Sequence, residues 1–502
     1  MKNISWDFLS KVAIFTFLLL QCIHWSVLLQ SMDIYYHLLT AWGFIQAGGY
    51  SGWDFWQYAP VGRIHIYPPF FHLMLAGFLK SGVSQIIIAK LCEVIIPALF
   101  LGVLWNFIRV NFSKRLAFLI LLMFFSSFSF YQSAVNHLPA TLALIFGILA
   151  WGQFFKNKLI RSALLLTLCF YTHIGISWYF ICSFVLYGLF NKEIRKDVLF
   201  AAGLAFVLSL PMIIKELNGL RFIGPIGLSL NEKYLSQIKV VDLALAGLGL
   251  FVAFKTKGKN SLFPAFFIAG FIFIGYPYRF LSGEGYFSVI LLSAFFLDYL
   301  CSALNKRYLL LIIALFVLVI SPTWVMYKGM ADKKLNYKIN FFDSGLINLV
   351  LAKGQILWFP KEYLSTANIV RENSESKDIV FSSLNFIGLT ASSLAGRATA
   401  NALLPEIGLP DSYNPLYSSK IIIFSKIDDP NVTGKIIAAL KLAKVGENDF
   451  FVVYKNPGCN VRAKATKAVF TFKLILAIGF LWLSVFIFSS RGHFPSKLLG
   501  NP

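Results

Sequence analysis

Long apolar runs recur along the chain, near 12–30, 85–108, 115–131, 138–155, 160–174, 175–190, 197–214, 240–254, 261–277, 284–300, 308–326 and 467–488. A bilayer-crossing helix needs roughly 20 mostly apolar residues, with about 17–25 tolerated. The pattern therefore predicts about twelve spans. The run at 12–30 follows Lys2 and Lys11 but has no small-residue cleavage site, so it reads as a retained helix and not a signal peptide. The two runs at 160–190 are short and must turn tightly at Thr172-His173-Ile174-Gly175.

Two stretches interrupt the apolar rhythm. Residues 31–84 form a long loop after the first span, in which Gly48-Gly49 ends one short helix and Pro68-Pro69 starts another. Residues 327–466 carry 17 Lys and Arg and 12 Asp and Glu, close to a water-soluble composition. There DIVFSSL (378–384), KIIIFSK (420–426) and DFFVVYK (449–455) read as buried strands, and NVTGKIIAALKLAKVG (431–446) reads as a helix with Gly446 as its cap. The expected fold class is an α-helical polytopic membrane protein with a small α/β domain near the C-terminus. The polytopic part is 1–326, the α/β domain 327–466, and 467–502 a final transmembrane helix with a tail.

Composition makes the membrane reading firm. Hydrophobic residues are 58% of the 502 and charged residues 14%, against about 25% charged in soluble domains. There is too little polar surface for a water-soluble body. The net charge of +22 does not mark a nucleic-acid binder, because the cations sit in short runs between apolar segments and not on one face. RVNFSKR (109–115), KNKLIR (156–161), NKEIRKD (191–197), KTKGK (255–259) and NKR (305–307) are rich in Lys and Arg, whereas 131–137 and 172–175 contain neither. By the positive-inside rule both termini are cytoplasmic, and 31–84, 215–239 and 327–466 face outward. Five of the six cysteines lie in apolar runs and Cys459 stands apart, so neither a disulfide framework nor a metal spacing is present.

Candidate chemistry gathers in the first outer loop: Asp33, His37, Asp54, Arg63, His65, Tyr67 and His72. Asp33 and His37 are four apart and share a helix face. Asp33 is equally suited to cap the helix it begins, and the histidines and Trp42, Trp53 and Trp56 to line a membrane interface. Farther on, GYPYRFLSGEGYF (275–287) offers Arg279 and Glu284, which either meet a phosphate or pair with each other. Lys90 and Glu93 suit an internal pair, Asp242 and Asp298 a structural role, and His173 either a cavity lining or a structural hydrogen bond.

An Asp directly after the first span, the Tyr-Tyr-His that follows, a Gly-ended helix, a second Asp, and P-x-G-x-x-x-x-Y-P-P-x-x-H from Pro60 to His72 together resemble the first outer loop of the GT-C membrane glycosyltransferases. Oligosaccharyltransferase catalytic subunits and protein mannosyltransferase-like enzymes are the nearest flavours. The resemblance implies transfer of a sugar from a polyprenyl-phosphate or polyprenyl-diphosphate donor, on the extracytoplasmic face, to a glycan, lipid or protein acceptor. It makes Asp33 the catalytic carboxylate. His37, Arg63, His65, Tyr67, His72, Arg279 and Glu284 become substrate contacts, and Asp33 with Asp54 the holders of a divalent cation (Mg or Mn). The chain departs from the oligosaccharyltransferases in lacking a WWDYG-type string between 327 and 466. The competing reading is a transporter or flippase, which would more often show inverted repeats and Gly/Pro-broken spans at the midplane.

Overall fold

The computed structural model describes residues 5–26, 32–220, 238–256, 258–273, 279, 283–304, 322–328, 335–341, 344–351, 360–401 and 414–489. The first helix, α1, is Trp6–Ile23 and ends in a tight turn at His24–Ser26. It starts before the predicted 12–30 because Asp7 near its N-terminus pairs with Arg109 and Lys114 at 3.5 and 3.8 Å. The outer loop supplies α2 (Met32–Ala47), the two-residue strands β1 (Gly49–Tyr50), β2 (Trp53–Asp54) and β3 (Arg63–Ile64), and α3 (Phe70–Lys80). Gly48 takes a left-handed φ of 82° directly after α2, a conformation that glycine adopts without cost.

The bundle continues with α4 (Gln85–Asn111), α5 (Lys114–Phe124), α6 (Phe128–Asn136), α7 (Leu138–Phe154), α8 (Leu159–Phe170), α9 (Ile174–Phe190) and α10 (Arg195–Leu220). Local sequence sets the starts: Ser84, Ser113 and Ser127 each accept a backbone N–H of the first turn. Then follow α11 (Val240–Thr256), α12 (Leu262–Ala269) and α13 (Phe287–Leu304). Close approach is built with glycine. A methyl on Gly249 of α11 would lie 2.1 Å from the Leu292 carbonyl oxygen of α13.

Among the described residues, α1, α4, α10 and α13 are long and apolar enough to cross a membrane, and the pair α6–α7, bent by 98°, makes a fifth if counted as one span. The other predicted positions within the described residues hold shorter helices, such as α8 with 12 residues and α9 with 17. Residues 308–321 of the predicted span at 308–326 lie outside the described residues, as does the loop 305–307, and 323–326 are strand instead of helix. Basic loops gather at one end of the bundle. Arg109 and Lys114 pair with Asp7, and Arg161 donates to the Phe486 and Ile487 carbonyls at the end of the last helix. The turns at 137 and 171–173 lie one helix length away, at the opposite end.

Strands β4 (Ile238–Lys239), β5 (Thr323–Lys328) and β6 (Leu335–Asn340) form a three-stranded antiparallel sheet, and helix α14 (Gly345–Leu351) follows. Leu346 N–H donates to the Phe125 carbonyl, so this part of 327–466 leans on the bundle. Beyond it come α15 (Pro360–Asn373), β7 (Ile379–Ser382), α16 (Asn385–Ala395), β8 (Ala398–Thr399), β9 (Ile421–Ser425), α17 (Pro430–Leu440), β10 (Ala443–Glu447) and β11 (Phe451–Lys455). The five strands form one mixed sheet in the order β10-β11-β9-β7-β8, parallel at β9-β7-β8. Strands stand where the apolar runs predicted them. The helix expected over 431–446 is shorter, however. It stops at Lys441, whose φ is 50°, and Gly446 lies inside β10 and does not cap the helix. A side chain at Gly446 would meet Ile369 at 2.8 Å, so glycine lets this strand run against α15.

The sheet is joined to the outer loop. Thr399 of β8 exchanges backbone hydrogen bonds with Trp56 and Ala59 at 2.9 and 3.0 Å. The last strand, β12 (Phe470–Thr471), pairs with β1 and leads into α18 (Phe472–Phe488). Loop 31–84 is thus clamped between bundle, sheet and final helix.

Candidate active site

Asp33 stands in the first turn of α2, where a carboxylate is favoured by the helix dipole. His37 follows one turn later, and its Nε2 lies 3.1 Å from Asp33 Oδ2. Its other nitrogen, Nδ1, lies 2.7 Å from Nε2 of His72, on the first turn of α3. The loop folds so that these two short helices bring a carboxylate and two imidazoles into line. Aromatic rings enclose the line: Tyr67 and Phe71 each stand 5.1 Å from the His37 ring, and Phe44 and His65 flank His72 at 5.8 and 5.3 Å. His37 and His72 are fully buried. Asp33 keeps 32% of its side-chain surface exposed.

Burial alone would raise the Asp33 pKa. The attraction and hydrogen bond of His37, then the attraction of His137 and Arg279, outweigh it and hold the carboxyl below its usual range. Asp33 is therefore ionised at neutral pH. His65 and His72 are pushed the other way, well below the ordinary imidazole range, by burial and then by neighbouring cations including Lys215. Both stay neutral. Lys215 reaches in from α10, donating to the Tyr67 carbonyl at 2.9 Å and lying 5.0 Å over the Tyr50 ring.

A second group assembles from distant parts of the chain. His137 sits at the elbow between α6 and α7, a break set by Pro139 in the first turn of α7. Its Nδ1 lies 3.1 Å from Glu284 Oε1, and Arg279 Nη1 lies 3.1 Å from the same oxygen. Ser133 Oγ donates to it at 3.3 Å. Glu284 is buried, with 3% of its side chain exposed, whereas His137 and Arg279 keep 30% each. His173 joins the edge. Its Nδ1 accepts the Ile176 N–H as the cap of α9, its ring stands 6.1 Å from Tyr67, and burial with Arg279 nearby pushes its pKa down to about 3.

Asp33, His37, Tyr67, His72, Arg279 and Glu284 thus belong to one neighbourhood. Arg63 and Asp54 face each other across the β2–β3 hairpin, 3.9 Å apart and both buried. Arg63 also lies 4.6 Å over the Tyr58 ring. Burial, opposed by Arg63, pushes Asp54 up to about 6. Elsewhere Lys90 stands over the Trp25 ring, Arg115 is ion-paired to Asp298, and Asp242 accepts from Ser126 and Tyr286 inside the bundle. His137 and Ser133 were not singled out from the sequence. The available signal was sidedness: both fall in the Lys- and Arg-free turn at 131–137, and His137 stands just before Pro139 as His72 stands just after Pro68-Pro69.

The fit of a divalent cation can be tested on the donor set. Asp33 is hydrogen-bonded to His37 and faces two basic groups, and Asp54 is turned to Arg63. Among the described residues no group of three or more His, Cys, Asp or Glu is placed to hold a metal ion.

This arrangement sits on the GT-C membrane glycosyltransferase fold, seen in solved structures that share it over most of the chain. ArnT from Cupriavidus metallidurans bound to undecaprenyl phosphate is 12% identical and covers 90% of this chain and 99% of its own, with a TM-score of 0.52. The archaeal oligosaccharyltransferase AglB from Archaeoglobus fulgidus, in complex with an inhibitory peptide and a dolichol-phosphate, is 12% identical over 83% of this chain and 69% of its own, with a TM-score of 0.51. A complex of the A. fulgidus enzyme with Zn and sulfate is 13% identical over 83% and 68%, at 0.52. At such identities the likeness is one of fold. No protein-family profile matches the chain, and no curated protein matches it by sequence. With its apolar helices and this fold, the chain is a multi-pass membrane protein.

Proposed function

We propose that this chain is a glycosyltransferase that moves a sugar from a polyprenyl-phosphate-linked donor to an acceptor glycan, lipid or protein on the extracytoplasmic face. The observation that carries the reading is one partly exposed neighbourhood: ionised Asp33 with the His137 imidazole and the Arg279 guanidinium acting on it, and Glu284 buried behind those two. The solved ArnT and AglB structures hold polyprenyl phosphates on the same fold, which supports a lipid-linked donor and argues against the transporter reading.

In this mechanism Asp33 removes the proton from the acceptor nucleophile as that atom bonds to the anomeric carbon of the sugar. The bond from that carbon to the phosphate oxygen breaks, and the lipid phosphate departs with the electron pair. Arg279 and His137 meet the departing anion, the guanidinium offering paired N–H donors. A polyprenyl donor cannot leave the bilayer, so its reacting carbon is confined near the headgroup plane. Asp33, held at the start of a helix directly past the first span, is fixed at that height.

The test is sugar transfer from a radiolabelled polyprenyl-phosphate donor to a membrane-impermeant acceptor supplied outside sealed vesicles. Asp33→Asn keeps the size of the side chain and removes its charge, so transfer should fall on the order of 100-fold or more with membrane insertion unchanged. Near wild-type transfer by the Asn variant would reduce Asp33 to a helix cap.

A further inference from the structure

We infer that His72, which is fully buried, fixes the tautomer of His37 and through it the orientation and charge of Asp33. The three side chains form one positioning line, Asp33–His37–His72. The inference rests on the glycosyltransferase reading above and deepens it.

The hydrogen-bond directions follow from the chemistry of each atom. An ionised carboxylate only accepts, so His37 Nε2 carries a proton and donates to Asp33 Oδ2. The 2.7 Å contact between His37 Nδ1 and His72 Nε2 needs one donor and one acceptor. If His37 were cationic, its Nδ1–H would donate, and the proton of His72 would sit on Nδ1. That atom is buried and has no hydrogen-bond partner among the described residues. This arrangement combines a buried cation with an orphaned N–H, and both are costly. With neutral His37 the direction is single: His72 Nε2–H donates to bare His37 Nδ1, and His37 Nε2–H donates to Asp33. Burial and the nearby Lys215 press the same way, since both disfavour a positive charge on His72.

Two consequences distinguish this line from a passive packing of rings. First, Oδ2 of Asp33 is held by the His37 N–H, which fixes the carboxylate plane on its helix. Second, the line is not a proton wire. His37 Nε2 is already protonated, so the proton taken from the acceptor stays on Asp33 and leaves by the opening. Replacing His72 by an apolar ring frees His37 to adopt either tautomer and removes the fixed N–H that favours the Asp33 anion over its acid.

The measurement is the pH dependence of transfer in the full-length enzyme, whose acid limb reports the Asp33 carboxyl within the field of His37, His137 and Arg279. His72→Phe should move that limb upward by about one pH unit, with KM unchanged and much of the rate regained at high pH. His72→Gln, whose amide still donates to His37 Nδ1, should restore the wild-type limb. An unmoved limb in a well-folded His72→Phe enzyme, or a limb displaced equally in both variants, overturns the inference while leaving the Asp33→Asn result intact. Nitrogen-15 spectra of histidine-labelled wild-type protein give an answer that needs no folded variant. The resonance lost in His37→Gln should show a protonated Nε2 and a bare Nδ1. The reverse tautomer, or an imidazolium at neutral pH, refutes the assignment.

Discussion

The two sides of the opening are built on opposite plans. On the outer-loop side a single carboxylate, Asp33, is partly exposed and two fully buried imidazoles stand behind it. On the bundle side an imidazole and a guanidinium are partly exposed, and one buried carboxylate, Glu284, stands behind both. In each case the exposed group carries the useful charge and the buried group fixes its position. The cost of burial differs, however. Neutral imidazoles are hidden cheaply, whereas an ionised carboxylate is hidden only when paired and hydrogen-bonded. Glu284 therefore collects Arg279, His137 and Ser133 on a single oxygen. The bundle side should accordingly be the more fragile of the two.

Glu284→Gln tests that fragility and carries the largest expected effect. The amide keeps the shape but withdraws the negative charge that holds two groups at once. Transfer should fall on the order of 100-fold, in line with loss of a preorganised electrostatic contact. Stability should fall by about 2 kcal/mol, because Arg279 remains partly exposed and water relieves some of its lost pairing. A variant with near-normal transfer would show that His137 and Arg279 are placed by the backbone alone.

The outer-loop side has a buried ion pair of its own, Asp54 with Arg63, enclosed in the same hairpin. Burial raises the Asp54 carboxyl from 3.8 to about 6. A raised carboxyl contributes stability that is fully present below 3.8 and is lost as pH rises through about 6. The loss amounts to about 3 kcal/mol. Asp54→Asn should abolish this slope between pH 4 and 6 in thermal-shift or denaturant measurements, at some fixed cost for leaving Arg63 without its carboxylate. The pH dependence of transfer set by Asp33 should not move. If it does, the loop's two carboxyls are coupled, and the plan of that side is less local than drawn here.

The outer-loop side was the legible one. Asp33 and His37 are related by helix periodicity, and Gly48-Gly49 and Pro68-Pro69 mark where the two short helices stop and start. The contact of His37 with His72 spans only 35 residues. Strands at 379–382, 421–425 and 451–455 were equally plain, because short apolar runs between polar turns have few other uses. The bundle side was not legible as a cluster. His137 and Glu284 lie 147 residues apart, and nothing local in either stretch states that an elbow and a late loop will meet. The misread end of α17 has a local cause: Lys441 takes the left-handed turn that Gly446 seemed fitted for, and glycine was needed instead where β10 passes Ile369. Span lengths were also less regular than the apolar runs implied: the run at 115–131 breaks into α5 and α6, and α6 meets α7 at a 98° bend. That bend is what delivers His137 to the site.

The smallest expected effect probes how His137 is held once it arrives. Ser133 lies one turn before His137 on α6, and its Oγ is 3.2 Å from His137 Nδ1 and 3.3 Å from Glu284 Oε1. Both contacts are long, and Glu284 is already served by Arg279 and His137, so the hydroxyl refines an arrangement it does not create. Ser133→Ala removes only that oxygen and suits a helix better than serine does. The helix gain offsets part of the loss of a weak hydrogen bond worth about 0.5–1 kcal/mol, leaving stability nearly unchanged. Transfer should drop by a factor of about 2–5, the range that such an energy corresponds to. His72→Phe should displace the acid limb of the pH profile, whereas Ser133→Ala should lower the rate evenly across pH, because in the proposed mechanism it acts on the group that meets the leaving phosphate and not on the base. A displaced acid limb in Ser133→Ala would mean that the two sides of the opening share one titration, and the division between them would have to be abandoned.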